Sequence, residues 1–430
     1  MRGRAAAVGG VIAAAAGLGA AAVWARSSPW PAVMAIRAVF DRDARRTVAE
    51  LERHAPAGAF RELRDVPYGP VAGRPGGTFD LIASADGITG SPGPAAPADV
   101  APADAAPADA APADAAPADA ASADAASADA ARADAAAARP VVVWIHGGAW
   151  ISGSKAHVTP YLRHLAAAGY VGVAVDYTIA PEAAYPTAVE QLGDALAHLV
   201  EHADELGIDP HRIVLAGDSA GAQLASQLTA AIVNPAYAAR TGIRPALEPG
   251  QLAGVVLHCG IYDLDAMTHL TGVLEWGFKS ALWAYTGSRD WSATEAADSM
   301  STIRAVTGAF PPAFISGGNG DGLTAVQSVP LSERMRAAGV PVTTMFWPAD
   351  HQPSLPHEYQ FKLDFPDARR ALVATIAFLD EVTGRPGTRP PGSRPPGSRP
   401  SDPRPPDAQA PEPSEPPEPP APPEPAPPTP

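Results

Sequence analysis

Cysteine is almost missing from this 430-residue chain, with Cys259 the only one. An intramolecular disulfide and a cysteine-built metal site are therefore excluded, while the compartment stays undecided. A cluster of Lys and Arg is missing too. The formal charge is −15, but residues 99–134 hold eight Asp against one Arg, and the tail from Pro386 holds six acids against four Arg. The rest of the chain is only mildly acidic. Without a basic patch there is no electrostatic footprint for nucleic acid, which is not expected as a partner.

Proline, by contrast, is in excess. Fifty prolines, against roughly 5% in ordinary chains, mark segments that cannot build a core. Residues 92–138 repeat Ala-Ala-Pro-Ala-Asp at a period of five, which matches neither a helix face nor a strand face. Pro97, Pro102, Pro107, Pro112 and Pro117 each remove an amide donor, so this stretch is expected to be a solvated, disordered insertion. Residues 384–430 are expected to be a disordered Pro-rich tail sampling polyproline II. One catalytic domain, residues 27–383, remains.

Arg2 and Arg4 precede an uncharged apolar run from Ala5 to Ala25 that ends at Arg26. That pattern predicts a cleaved signal peptide or a retained membrane anchor over residues 1–26, and so an extracytoplasmic body, secreted or anchored. Residues 30–52 space apolar side chains at three and four, as an amphipathic helix does.

Within the body, apolar β-branched runs alternate with helical patterns: an α/β fold with a mostly parallel central sheet flanked by helices. Strands are predicted at Thr78–Ala83, Val141–Ile145, Val171–Val175, Ile213–Ala216, Gly254–His258, Ala313–Ser316 and Val342–Trp347. Helices are predicted at Thr187–Ala203 and Ala220–Ile232. The segment Asp263–Thr307 carries Trp276, Phe278, Trp283, Tyr285 and Trp291. It is expected to form a helical, aromatic cap or acyl pocket, or else plain core.

Gly217-Asp218-Ser219-Ala220-Gly221 follows one predicted strand and opens a predicted helix, the context that turns G-x-S-x-G into a nucleophile elbow. His146-Gly147-Gly148-Ala149-Trp150 closes another strand, and its glycines leave backbone amides free to meet a ligand. Gly147, Gly148 and Ala220 are the expected oxyanion donors, and His146 is expected to pin the loop. A serine hydroxyl needs a His to take its proton and an acid to orient that His, in the order Ser, acid, His. His351, just past a strand, is the leading base and His357 the second candidate. Asp321, in a Gly-rich loop, is the leading acid and Asp263 the alternative.

With DYTIAPEAAYP (Asp176–Pro186) and DHQPSLPHEYQF (Asp350–Phe361), these motifs resemble the α/β-hydrolase superfamily, most closely its hormone-sensitive-lipase-like, acetyl esterase/lipase branch. The resemblance implies a Ser219–Asp321–His351 triad, a small-molecule ester substrate, and neither metal nor organic cofactor. Family members usually carry a small-aromatic pair after the triad His, where Gln352-Pro353 follows His351 here. An arylformamidase-type amidohydrolase and a catalytically inactive binding protein on the same fold are the alternatives.

Overall fold

The structure, a computed structural model, describes residues 27–69, 76–85 and 138–385. The Ala5–Ala25 run, nearly all of the Ala-Pro-Ala-Asp stretch and the Pro-rich tail lie outside the described residues. Among the described residues no helix is long and apolar enough to cross a membrane.

Eight strands form one sheet in the order β1-β2-β4-β3-β5-β6-β7-β8. They are β1 Phe60–Tyr68, β2 Gly77–Ser84, β3 Arg139–Ile145, β4 Val171–Val175, β5 Ile208–Asp218, β6 Leu252–His258, β7 Ala313–Gly317 and β8 Val342–Phe346. β1 pairs antiparallel with β2 and β2 antiparallel with β4, and every other pairing is parallel. The predicted strands are present: β2, β3, β5, β6 and β7 are longer than expected, β4 has the expected bounds and β8 is one residue shorter. β1 was not predicted: its sequence, FRELRDVPY, mixes charge and proline and leaves most of its residues at least partly exposed, as a sheet edge allows.

The central strands β3, β4 and β6 are apolar almost throughout because helices cover both faces of the sheet. One core layer holds Val143, Ile145, Leu215 and Leu257, and the opposite layer holds Val142, Trp144, Val214 and Val256. Seven main helices surround the sheet: α1 Trp30–Arg53, α2 Lys155–Ala167, α3 Thr187–Glu201, α4 Ala220–Val233, α5 Gly272–Thr286, α6 Val329–Ala337 and α7 Pro366–Val382. Every residue of α4 is buried, which explains a mostly Ala, Leu, Ile and Val sequence relieved by Gln223, Ser226, Gln227 and Thr229. Parallel strands end together, so the loops after β3, β5, β6, β7 and β8 share one edge, where open α/β sheets place their sites.

Candidate active site

Ser219 stands between the last residue of β5 and the first of α4, with φ +52° and ψ −120°. A non-glycine residue is costly there, and such strain persists only where the surroundings enforce it. The enforcement is close packing. A Cβ on Gly221 would collide with the carbonyls of Ile145 and His146, so α4 can cross the end of β3 at this distance only with glycine at that position. The result is a sharp turn that lifts the hydroxyl above the sheet edge.

His357 Nε2 lies 2.9 Å from Ser219 Oγ, and its Nδ1 lies 2.8 Å from Asp321 Oδ2. The other oxygen of Asp321 accepts the Leu323 amide at 2.9 Å, which fixes the carboxylate in its loop. Burial opposes protonation of the His357 ring, but the Asp321 carboxylate facing it, with a hydrogen bond to the Cys259 sulfur, prevails and holds its pKa well above the ordinary imidazole value. Cys259 itself is buried, and that burial pushes its thiol up. Cys259, Asp321 and His357 bring a sulfur, a carboxylate oxygen and a ring nitrogen within 4.8 Å of one another, a metal-compatible set in which His357 and Asp321 already bond to each other.

The base predicted first, His351, is not at the nucleophile. Its Nε2 meets Asp367 at 2.9 Å and its ring stacks against Trp347, away from the cavity lining. The physical reason is the loop. Asn319 donates to the His351 carbonyl at 2.9 Å and accepts the Leu355 amide at 2.9 Å, and the Gly320 amide donates to the Leu355 carbonyl at 2.9 Å. These bonds stitch the acid loop to the stretch after β8 and carry the chain six residues further before an imidazole reaches Ser219. A signal was present in the sequence: His357 is followed at the second position by the aromatic Tyr359, which is fully buried. Asp263, the alternative acid, instead caps a short helix by accepting the Asp265 amide at 3.0 Å.

The loop after β3 needs a second correction. The Gly147 amide donates to Asp218 Oδ2 at 2.8 Å, so it is engaged inside the protein rather than offered to a ligand. Gly148, Ala149 and Trp150 then run through positive φ values of 110°, 52° and 60°. The buried Trp150 ring holds that path, stacked on Tyr285 and donating to Gln223 at 3.0 Å. The Gly148 and Ala149 amides have no acceptor among the described residues, and the Ala220 amide, first in α4, has no intrahelical one. His146, as expected, is a pin: its Nδ1 donates to the Gly147 carbonyl at 2.8 Å and its ring stacks on Tyr177. Burial lowers its pKa.

These groups line a cavity of about 400 Å³. Phe40, Ala44 and Thr47 of α1 and Phe278 of α5 form its outer wall. Of the predicted cap aromatics, Phe278 alone lines the cavity, Tyr285 and Trp291 are core, and Trp276 is exposed.

A sequence model described as the alpha/beta hydrolase fold matches residues 142–353. Carboxylesterase NlhH of Mycobacterium tuberculosis is 31% identical over 242 residues, 56% of this chain and 73% of that protein. Hormone-sensitive lipase of Mus musculus is 39% identical over 104 residues, 24% of this chain and 13% of that protein. The chain belongs to the α/β-hydrolase family, in its hormone-sensitive-lipase-like branch. In three dimensions it is similar to esterase B from Lactobacillus rhamnosis, with a TM-score of 0.61 and 19% identity, over 83% of this chain and 96% of that one. It is likewise similar to the Pyrobaculum calidifontis esterase, with a TM-score of 0.56 and 20% identity, over 81% of this chain and 92% of that one. The matched stretch of this α/β hydrolase stops short of His357, so the base is placed by geometry.

Proposed function

We propose that this α/β hydrolase is a carboxylic ester hydrolase working through a Ser219 acyl-enzyme. The observation that carries the proposal is the unbroken chain of contacts from Ser219 Oγ through the His357 ring to Asp321. His357 accepts the serine proton through Nε2 as the hydroxyl attacks the ester carbonyl. Asp321 keeps the ring's other nitrogen protonated and stabilises the imidazolium. Negative charge then develops on the former carbonyl oxygen, and amide donors fixed in advance lower that barrier by about 3 kcal/mol each. Gly148, Ala149 and Ala220 are the donors. His357 returns its proton to the departing alcohol, and water releases the acid by the same steps in reverse.

Turnover of p-nitrophenyl esters of graded chain length tests this. Turnover that disappears in Ser219→Ala is expected. Cleavage of an N-formyl anilide with no ester turnover would overturn it in favour of an amidase. We also propose that the body works outside the cytoplasm, on the strength of the Arg-flanked Ala5–Ala25 run. Protection from protease added to intact cells would contradict that.

A further inference from the structure

Glu358 holds φ +56°, and its carboxyl sits against Gly147 and Asp218. Its Oε1 is 3.9 Å from His357 Nε2, the same nitrogen that faces Ser219.

The charged groups lining the cavity are mostly acidic. Asp43, Asp218, Asp321 and Glu358 all line it, and among the described residues no Lys or Arg does. Asp321 faces the His357 ring, and Asp43 has Lys362 at 3.5 Å. Asp218 is fully buried, its two oxygens accept Trp144 Nε1 and the Gly147 amide at 2.8 Å each, and that burial, with Glu358 beside it, raises its pKa well above the carboxylate range. His157, also in the lining, is pushed down by burial and stays neutral. Glu358 is about a third exposed and lines the cavity. The rings of Phe40, Phe278 and Phe361 line the same cavity. Aromatic faces with an adjoining carboxylate attract ammonium groups, quaternary ones included.

The reaction assigns this charge to one part of the substrate. His357 Nε2 hands its proton to the leaving alcohol, so the alcohol lies on the side of the ring that Glu358 flanks. We propose that Glu358 is a specificity-determining residue that selects esters of ammonium-bearing alcohols. This rests on the ester hydrolase reading above.

The test compares butyrylcholine with its uncharged isostere 3,3-dimethylbutyl butyrate, as the ratio of their kcat/KM values within each enzyme form. A ratio cancels any effect of a substitution on the chemical step. The wild type should favour the choline ester, Glu358→Gln should reduce that preference about fivefold, and added salt should reduce it in the wild type. A wild-type ratio at or below one, or a ratio that Glu358→Gln leaves in place, overturns the proposal. Should neither ester be turned over, the hydrolase reading fails and this inference is judged on binding. Choline must then bind more tightly than 3,3-dimethylbutanol by calorimetry and lose that advantage in Glu358→Gln. Equal binding of the two alcohols overturns it.

Discussion

At the scale of single residues, two imidazoles compete for one role, and hydrogen bonds separate them. His357→Ala is expected to lower kcat roughly ten-thousand-fold, the size of effect seen when a triad member is removed. His351→Ala is expected to keep kcat within about threefold and to cost about 1 kcal/mol of stability, because it breaks the bond to Asp367, which Arg370 still holds at 2.9 Å, and gives up the ring contact with Trp347. Steady-state turnover and thermal unfolding of both variants check this. The pH profile follows from the same ring. The base works only when neutral, so activity is lost as pH falls through the folded pKa of His357. That value is raised, which places the acid limb of kcat/KM above the ordinary midpoint of about 6.5. Asp321→Asn removes one of the charges that raise it and should move the limb to lower pH. Ser219, Asp321, Gly148 and Ala220 were legible because motif and element order are local properties. The base was not, because proximity to a strand end does not reveal the bonds through Asn319 that carry the loop past His351. Nor does a double glycine reveal that Asp218 takes the first of its two amides.

At the scale of elements, the site depends on two packing contacts. The first is the crossing of α4 over the end of β3. Gly221→Ala would drive a methyl group into backbone carbonyls that cannot move aside, and overpacking of this kind costs roughly 1–3 kcal/mol. A lowered Tm and a lost Ser219 turn are expected together, and a variant of normal Tm and normal kcat would refute the packing argument. The second is the tether of α1. Arg37 donates to the Ile151 carbonyl at 2.5 Å, to the Ala180 carbonyl at 2.8 Å and to Glu182 at 2.7 Å. This holds the cavity wall of Phe40, Ala44 and Thr47 against the loop that follows β3. Arg37→Ala should therefore raise KM more than it lowers kcat. The helix itself was readable from its apolar spacing, but the tether was not, since it joins residues more than a hundred positions apart. β1 escaped notice for a related reason: an edge strand is half solvated and lacks the apolar run that identifies the central strands.

At the scale of the whole molecule, the long insertion leaves and rejoins the sheet at nearly one place. The Arg139 guanidinium donates to the Ser84 carbonyl at 3.2 Å, so the ends that flank the repeat are already in contact. Replacing residues 90–134 by a short Gly/Ser linker should preserve the fold and keep kcat/KM within about twofold, since closing a shorter loop between adjacent ends costs little. A large loss of activity in that variant would show that the repeat contributes to the site. The fold class was legible at this scale because a parallel sheet needs alternating strands and helices, and β3, β4 and β6 are apolar almost throughout.

The most direct measurement is peptide mapping of a fluorophosphonate adduct in the wild type, His351→Ala and His357→Ala. The account predicts an adduct on Ser219 that forms at similar rates in the wild type and His351→Ala and is lost in His357→Ala. Labelling at another residue, or loss of the Ser219 adduct in His351→Ala with retention in His357→Ala, would contradict it.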